Sequence, residues 1–195
     1  MKGKLKTHTV DRYLKPIRLQ IKSLIEPGAT IIEYGCGNGD LLFKLADKIQ
    51  SGIGLDIAKP LIAYARQRQK KAHIKHLDFK SVDIRLPLDS ATRKDYSINS
   101  LLFHILTRED SKKLLKQQLN HTQTIIICGF SQPENWKQAV LLWFDQRFTK
   151  HYPNFKAFKQ GGFTEGLLNS IAPLEYTTID TFDPVIKIYI VKSNR

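Results

Sequence analysis

The sequence lacks any apolar run near the ~20 residues a membrane-spanning helix requires, so no span and no membrane partner are expected. The basic start, Met1-Lys2-Gly3-Lys4-Leu5-Lys6, has no long apolar segment behind it, which argues against a secretory signal. Cysteine is scarce. Cys36 and Cys128 are two isolated thiols, which exclude a disulfide framework and fit a reducing, cytoplasmic location. The histidines, His8, His73, His76, His104, His121 and His151, form no ligand-like cluster. His73 and His76 stand three apart but have no cysteine beside them, so no metal site is expected. Internal repeats and low-complexity stretches are missing too, and no boundary divides the 195 residues, so residues 1–195 are expected to form a single domain.

What the chain has in excess is positive charge. Lys and Arg number 31 against 18 Asp and Glu, a formal charge of +13. Such a field attracts anions, so a nucleic acid or a small acidic substrate is a possible partner. The basic residues are spread along the chain in groups such as Arg66, Arg68, Lys70 and Lys71, with no arginine-rich tail.

Short apolar runs alternate with longer amphipathic stretches, the pattern of a mostly parallel sheet with helices on its faces. Val10, Tyr13, Leu14, Ile17, Ile21, Leu24 and Ile25 are spaced for a helix over 10–26, with Pro16 falling early in it and Glu26-Pro27-Gly28 as its stop. Strands are expected at Thr30–Tyr34, Ile53–Asp56, Ile74–Ser81, Tyr96–Phe103 and Thr124–Phe130, and helices at Asp40–Gln50, Lys59–Lys71 and Asp110–Leu119. Beyond them lie an aromatic-rich segment, Pro133–Phe158, a short helix Phe163–Ile171, and two strands, Glu175–Phe182 and Val185–Val191. The tight Asp183-Pro184 link makes these last two an antiparallel pair.

The most informative stretch is Glu33-Tyr34-Gly35-Cys36-Gly37-Asn38-Gly39. It follows a buried strand and opens a helix, where backbone amides point outward and a ligand can approach glycines without meeting a Cβ. Its register is G-x-G-x-G. The dinucleotide fingerprint G-x-G-x-x-G would need a third glycine at position 40, which is Asp40. Glu33 before the turn and Asp40 after it would repel a pyrophosphate and suit a ligand carrying ammonium or sulfonium charge. S-adenosylmethionine carries both and has no phosphate. Asp56, seventeen residues beyond Gly39 at the end of the second strand, is placed to accept from both ribose hydroxyls. The neighbouring Ile57 could pack on adenine. Asp83, in Val82-Asp83-Ile84 ahead of Leu86-Pro87-Leu88, could accept from the adenine amine.

In order and spacing these motifs resemble the cofactor site of the class I S-adenosylmethionine-dependent methyltransferases, over roughly residues 10–130. The resemblance implies an α/β, Rossmann-like, doubly wound, mostly parallel seven-stranded sheet with an antiparallel last strand. It implies cofactor contacts from Glu33, Gly35, Cys36, Gly37, Asn38, Gly39, Asp56, Ile57, Asp83, Ile84 and Phe103. The fourth strand ends in Phe103-His104-Ile105-Leu106 and lacks the Asn/Asp-Pro-Pro-aromatic motif of the enzymes that methylate adenine N6 or glutamine N5. His104 is a candidate base or substrate-orienting group, with a structural strand-end histidine as the plainer reading. Tyr152 is a second catalytic candidate. Residues 1–26 are expected as a helical cap and 131–162 as an insertion or lid on the substrate side. The aromatic stripe Trp136, Val140, Trp143, Phe144 and Phe148 reads either as packed on the core or as a pocket wall. The implied activity is methyl transfer to O, N or C of an unidentified small-molecule acceptor. An RNA or protein methyltransferase, or a non-catalytic cofactor-binding protein, is the alternative.

Overall fold

Residues 2–86, 93–171 and 174–193 are described by a computed structural model of the chain. They form two units, Met1–Val82 and Asp83–Arg195.

In the first unit, helix α1 (Lys2–Leu24) precedes strand β1 (Thr30–Tyr34), helix α2 (Asp40–Leu45), β2 (Ser51–Asp56), α3 (Lys59–Lys71) and β3 (Leu77–Ser81). The strands are parallel in the order β3-β2-β1, with Glu33 opposite Gly54 and Asp56 opposite Ser81. Parallel strands covered on both faces need continuous apolar side chains. Accordingly Ile31, Ile32 and Tyr34 are buried, as are Leu41, Leu42 and Leu45 of α2 and Ile17 and Ile21 of α1. Helix α1 begins well before the expected residue 10, so Pro16 lies deep in its interior rather than near its start. There it removes one backbone donor without ending the helix. Helix α2 stops at Leu45, because Lys48 and Ile49 both donate to the Leu45 carbonyl and tighten the chain into a turn. Strand β3 starts three residues later than expected, after His73 has taken a left-handed conformation at φ 53°.

The second unit holds β4 (Lys94–Ser100), helix α4 (Arg108–His121), β5 (Thr122–Phe130), α5 (Trp136–Arg147), α6 (Tyr152–Gln160), α7 (Phe163–Asn169), β6 (Tyr176–Asp180) and β7 (Ile186–Lys192). Its order is β4-β5-β7-β6, with β4 parallel to β5 and β7 antiparallel to both neighbours. Strand β4 ends at Ser100, short of the expected Phe103. Leu101 turns left-handed at φ 52° and Phe103–Ile105 wind into a 3-10 turn. Asn99 and Gln118 satisfy each other in the interior, each side-chain amide donating to the other's oxygen at 3.1 and 2.9 Å. Pro87 and Leu88 lie outside the described residues.

Candidate functional site

The glycine turn of the first unit is held from two sides. From β2, the Leu55 carbonyl accepts from the amides of both Gly35 and Cys36 at 2.7 and 3.0 Å. The Asp56 carboxylate accepts from the amides of Gly37 and Ala58 at 2.8 and 2.7 Å. Gly35, Gly37 and Gly39 all have positive φ, at 72°, 54° and 76°. At Gly39 space adds to the constraint, since a Cβ would fall 2.4 Å from the Phe79 ring. At Gly37 the nearest atom to a Cβ would be 4.0 Å away, so this glycine faces open space. Asn38 closes the turn by accepting from the Asp40 amide at 3.1 Å.

Glu33 lies beneath the turn and is 3% exposed. Burial pushes its carboxyl up to about 8, against the pull of the Arg18 charge and helped by Asp40 and Asp56. Its Oε2 has no hydrogen-bond partner. A buried acceptor without a donor is costly, and a ligand amine or amide can donate the missing hydrogen bond. The Cys36 thiol is likewise pushed up by burial and by the nearby Glu33 and Asp56 carboxylates, so it is a neutral, unreactive lining group. Ile57, just past Asp56, is 60% exposed, an apolar side chain free to receive a flat ligand ring.

Asp40 does not present its charge to the turn, as its position in the sequence suggested. It is buried and ion-paired to Arg18 at 2.6 Å, Lys44 at 2.7 Å and Arg68 at 3.3 Å. Burial works against its ionisation, but the Lys44 hydrogen bond and the three cations outweigh it and hold the carboxyl below its ordinary value. Arg18 also pairs with Asp11 at 2.8 Å, and Asp11 accepts from the Asn38 amide at 2.7 Å. Helix α1 is thereby tied to the turn through Asp11 and Arg18, which sequence reasoning missed. Their spacing of seven puts them on one helix face, the one signal available.

In the second unit, Asp83 is held at about 2 by hydrogen bonds from the Arg85 side chain and backbone. Ile84 and Phe103 are buried. His104, in the 3-10 turn, packs edge-on to Phe130 at 4.8 Å, His151 at 5.4 Å and Phe155 at 6.5 Å between ring centres. Burial, with a smaller push from His151, lowers it to about 3, so it is neutral near pH 7. Tyr152 stacks on the same Phe155 at 6.3 Å, with the Arg147 guanidinium 5.0 Å over its ring. Both catalytic candidates thus touch one aromatic cluster, which Asn154 anchors by donating to the Ile105 carbonyl at 2.8 Å. Among the described residues no group of His, Cys, Asp and Glu could hold a metal ion.

The turn fits S-adenosylmethionine on two counts: a glycine with open space and a buried carboxyl oxygen in need of a donor. The model of a methyltransferase domain family matches residues 25–184. Over 55 residues the chain is 31% identical to nocamycin O-methyltransferase of Saccharothrix syringae, a match spanning 26% of this chain and 20% of that protein. Among solved structures, the N-methyltransferase NodS from Bradyrhizobium japonicum, bound to S-adenosyl-L-homocysteine, is 14% identical, with a TM-score of 0.64 over 95% of this chain and 87% of its own. The plantazolicin methyltransferase BpumL, also bound to S-adenosylhomocysteine, is 17% identical with a TM-score of 0.67, covering 99% and 90%. These likenesses show the fold to be the α/β, doubly wound, mostly parallel seven-stranded class with an antiparallel last strand. Matched by the family model over most of its length, and carrying that fold, the chain belongs to the methyltransferase domain family.

Proposed function

We propose that the protein is an S-adenosylmethionine-dependent methyltransferase acting on O or N of a small-molecule acceptor. The observation that carries this is the turn itself, with Gly37 open to a ligand beside the unpartnered, buried Oε2 of Glu33. The acceptor class follows the names of nocamycin O-methyltransferase, NodS and BpumL.

The chemistry supplied by the bound cofactor is an electrophilic methyl group with its own leaving group, which leaves alignment and water exclusion to the protein. Glu33, Gly35, Cys36, Gly37, Asn38 and Gly39 hold the methionine portion in this reading. Asp56 uses the lone pairs left by its two backbone donors to accept ribose hydroxyls. Ile57 offers its exposed side chain to the adenine. Asp83, Ile84 and Phe103 are further cofactor contacts, with Asp83 sharing its carboxylate with Arg85. Of the two roles open to His104, orienting an acceptor fits better than taking its proton, because a group protonated only near pH 3 is a weak base at pH 7. Tyr152, beside it on Phe155, is the second acceptor-side group.

Titration calorimetry with S-adenosylhomocysteine tests the reading. Binding to the wild type and its loss in Asp56→Ala, with the melting transition retained, supports it. No binding heat at any temperature sinks it.

A further inference from the structure

Helix α5 departs from the usual amphipathic plan. Leu142 and Gln146 are buried on its inner side. Its outer side ought to be polar, yet Trp136, Val140, Leu141, Trp143, Phe144 and, at the end of the helix, Phe148 are exposed there, Trp136 at 71% and Phe148 at 80%. At about 100° per residue, Trp136, Val140, Phe144 and Leu141 spread over roughly 140° of the circumference, and Lys137 and Arg147 fall within the same arc. Lys137 sits 5.9 Å from the Trp136 ring and Arg147 6.0 Å from the Phe148 ring. Lys150, Lys156 and Lys159, just beyond, are also exposed. Between residues 133 and 160 the sequence holds these five cations against Glu134 and Asp145 alone.

We propose that this face of α5 docks on the surface of an anionic lipid bilayer. Exposed aromatic side chains rimmed by Lys and Arg match the two layers of a membrane interface: rings enter the acyl boundary, and the long basic side chains reach back to the phosphates. The charge decides between occupants. A second copy seated symmetrically on this face would bring Lys137, Arg147 and Lys150 against themselves, which like-charge repulsion disfavours. An anionic bilayer is complementary both to the rim and to the chain's net charge of +13. The missing apolar run of ~20 residues rules out a spanning helix, not one lying in the interface. The inference stands independently of the methyl-transfer reading.

The chain's two tryptophans, Trp136 and Trp143, are both in α5, so its emission reports on this helix alone. Phosphatidylcholine vesicles containing phosphatidylglycerol should shift the emission to the blue and, when their acyl chains are brominated, quench it. Phosphatidylcholine alone should do neither. A Phe144→Glu, Phe148→Glu double variant, with circular dichroism and melting unchanged, should bind on the order of tenfold more weakly or worse. Lys150→Glu should cost roughly fivefold or more, and added salt should remove that difference. An unchanged emission with anionic vesicles, or equal binding by the double variant, overturns the proposal. So does a blue shift that appears without lipid and rises with protein concentration alongside a doubled mass, which would assign the face to a second copy.

Discussion

Glu33→Gln tests the physics of the turn most directly. The carboxyl ionises at 4.5 in an exposed chain and at about 8 in the fold, because burial opposes its charge. A pKa raised on folding gives stability that is complete below the unfolded value and is lost as pH climbs through the folded one. At pH 6 the folded state has already given up about 2 kcal/mol relative to low pH, and at pH 9 about 5 kcal/mol, from roughly 1.4 kcal/mol per unit. The wild type should therefore lose about 3 kcal/mol between pH 6 and pH 9 that Glu33→Gln does not lose. Gln has no charge to desolvate, and it brings an amide donor to a place where Oε2 stands unpaired. Urea unfolding of both proteins at the two pH values gives the double difference, from which the titration of every other group cancels. In melting temperature the difference is about 5–10 °C for a chain of this size. A double difference below about 0.5 kcal/mol would show that Glu33 stays ionised in the fold, and the account of the turn as holding a protonated, donor-seeking carboxyl would be wrong.

The two glycines of the turn should separate space from ligand contact. Gly39→Ala meets Phe79 at 2.4 Å and a φ of 76°, and should destabilise by about 2–4 kcal/mol in urea titration. Gly37→Ala meets only its φ of 54°, and should cost about 1 kcal/mol of stability while weakening S-adenosylhomocysteine binding by more than tenfold. Asp40→Asn leaves Arg18, Lys44 and Arg68 facing one another without their shared carboxylate, and should cost about 2–3 kcal/mol, whereas Arg18→Met, which leaves two cations on Asp40, should cost less; equal losses in urea would contradict the network. His104, lowered to about 3, gives stability that is present above its ordinary pKa of 6.5 and lost as pH falls toward 3. Between pH 7 and 4.5 the wild type should lose about 2–3 kcal/mol more than His104→Phe, read by thermal melts at both pH values.

The parts of the fold legible in the sequence are those fixed by neighbours in the chain. The run Thr30–Tyr34 can only be buried, and three glycines in five residues can only be a turn, so β1, the turn and α2's start lie where their residue types demand. Asp56 follows for the same reason, since a strand ending in a carboxylate points it at the turn beside it. What fails locally is the end of each element. Leu101 and His73 adopt left-handed backbone that no leucine or histidine advertises, and they cut β4 and delay β3. Asp40 failed differently. Its charge is visible in the sequence, but its effect depends on Arg18 from α1 and Arg68 from α3, twenty-two and twenty-eight residues away. A carboxylate reads as repulsive until its partners are known.

Helix α5 carries the same lesson with the opposite sign. The spacing of Trp136, Val140, Phe144 and Phe148 states that one face is apolar, and nothing more. Whether that face turns toward the core or away from it depends on which side Leu142 and Gln146 dock, and a period cannot encode that. Exposing aromatic rings is costly in most chains, which favours packing such a face on the core. Here that cost remains in the folded protein, the bilayer docking proposed above would relieve it, and the cations placed among the rings are what favour that partner.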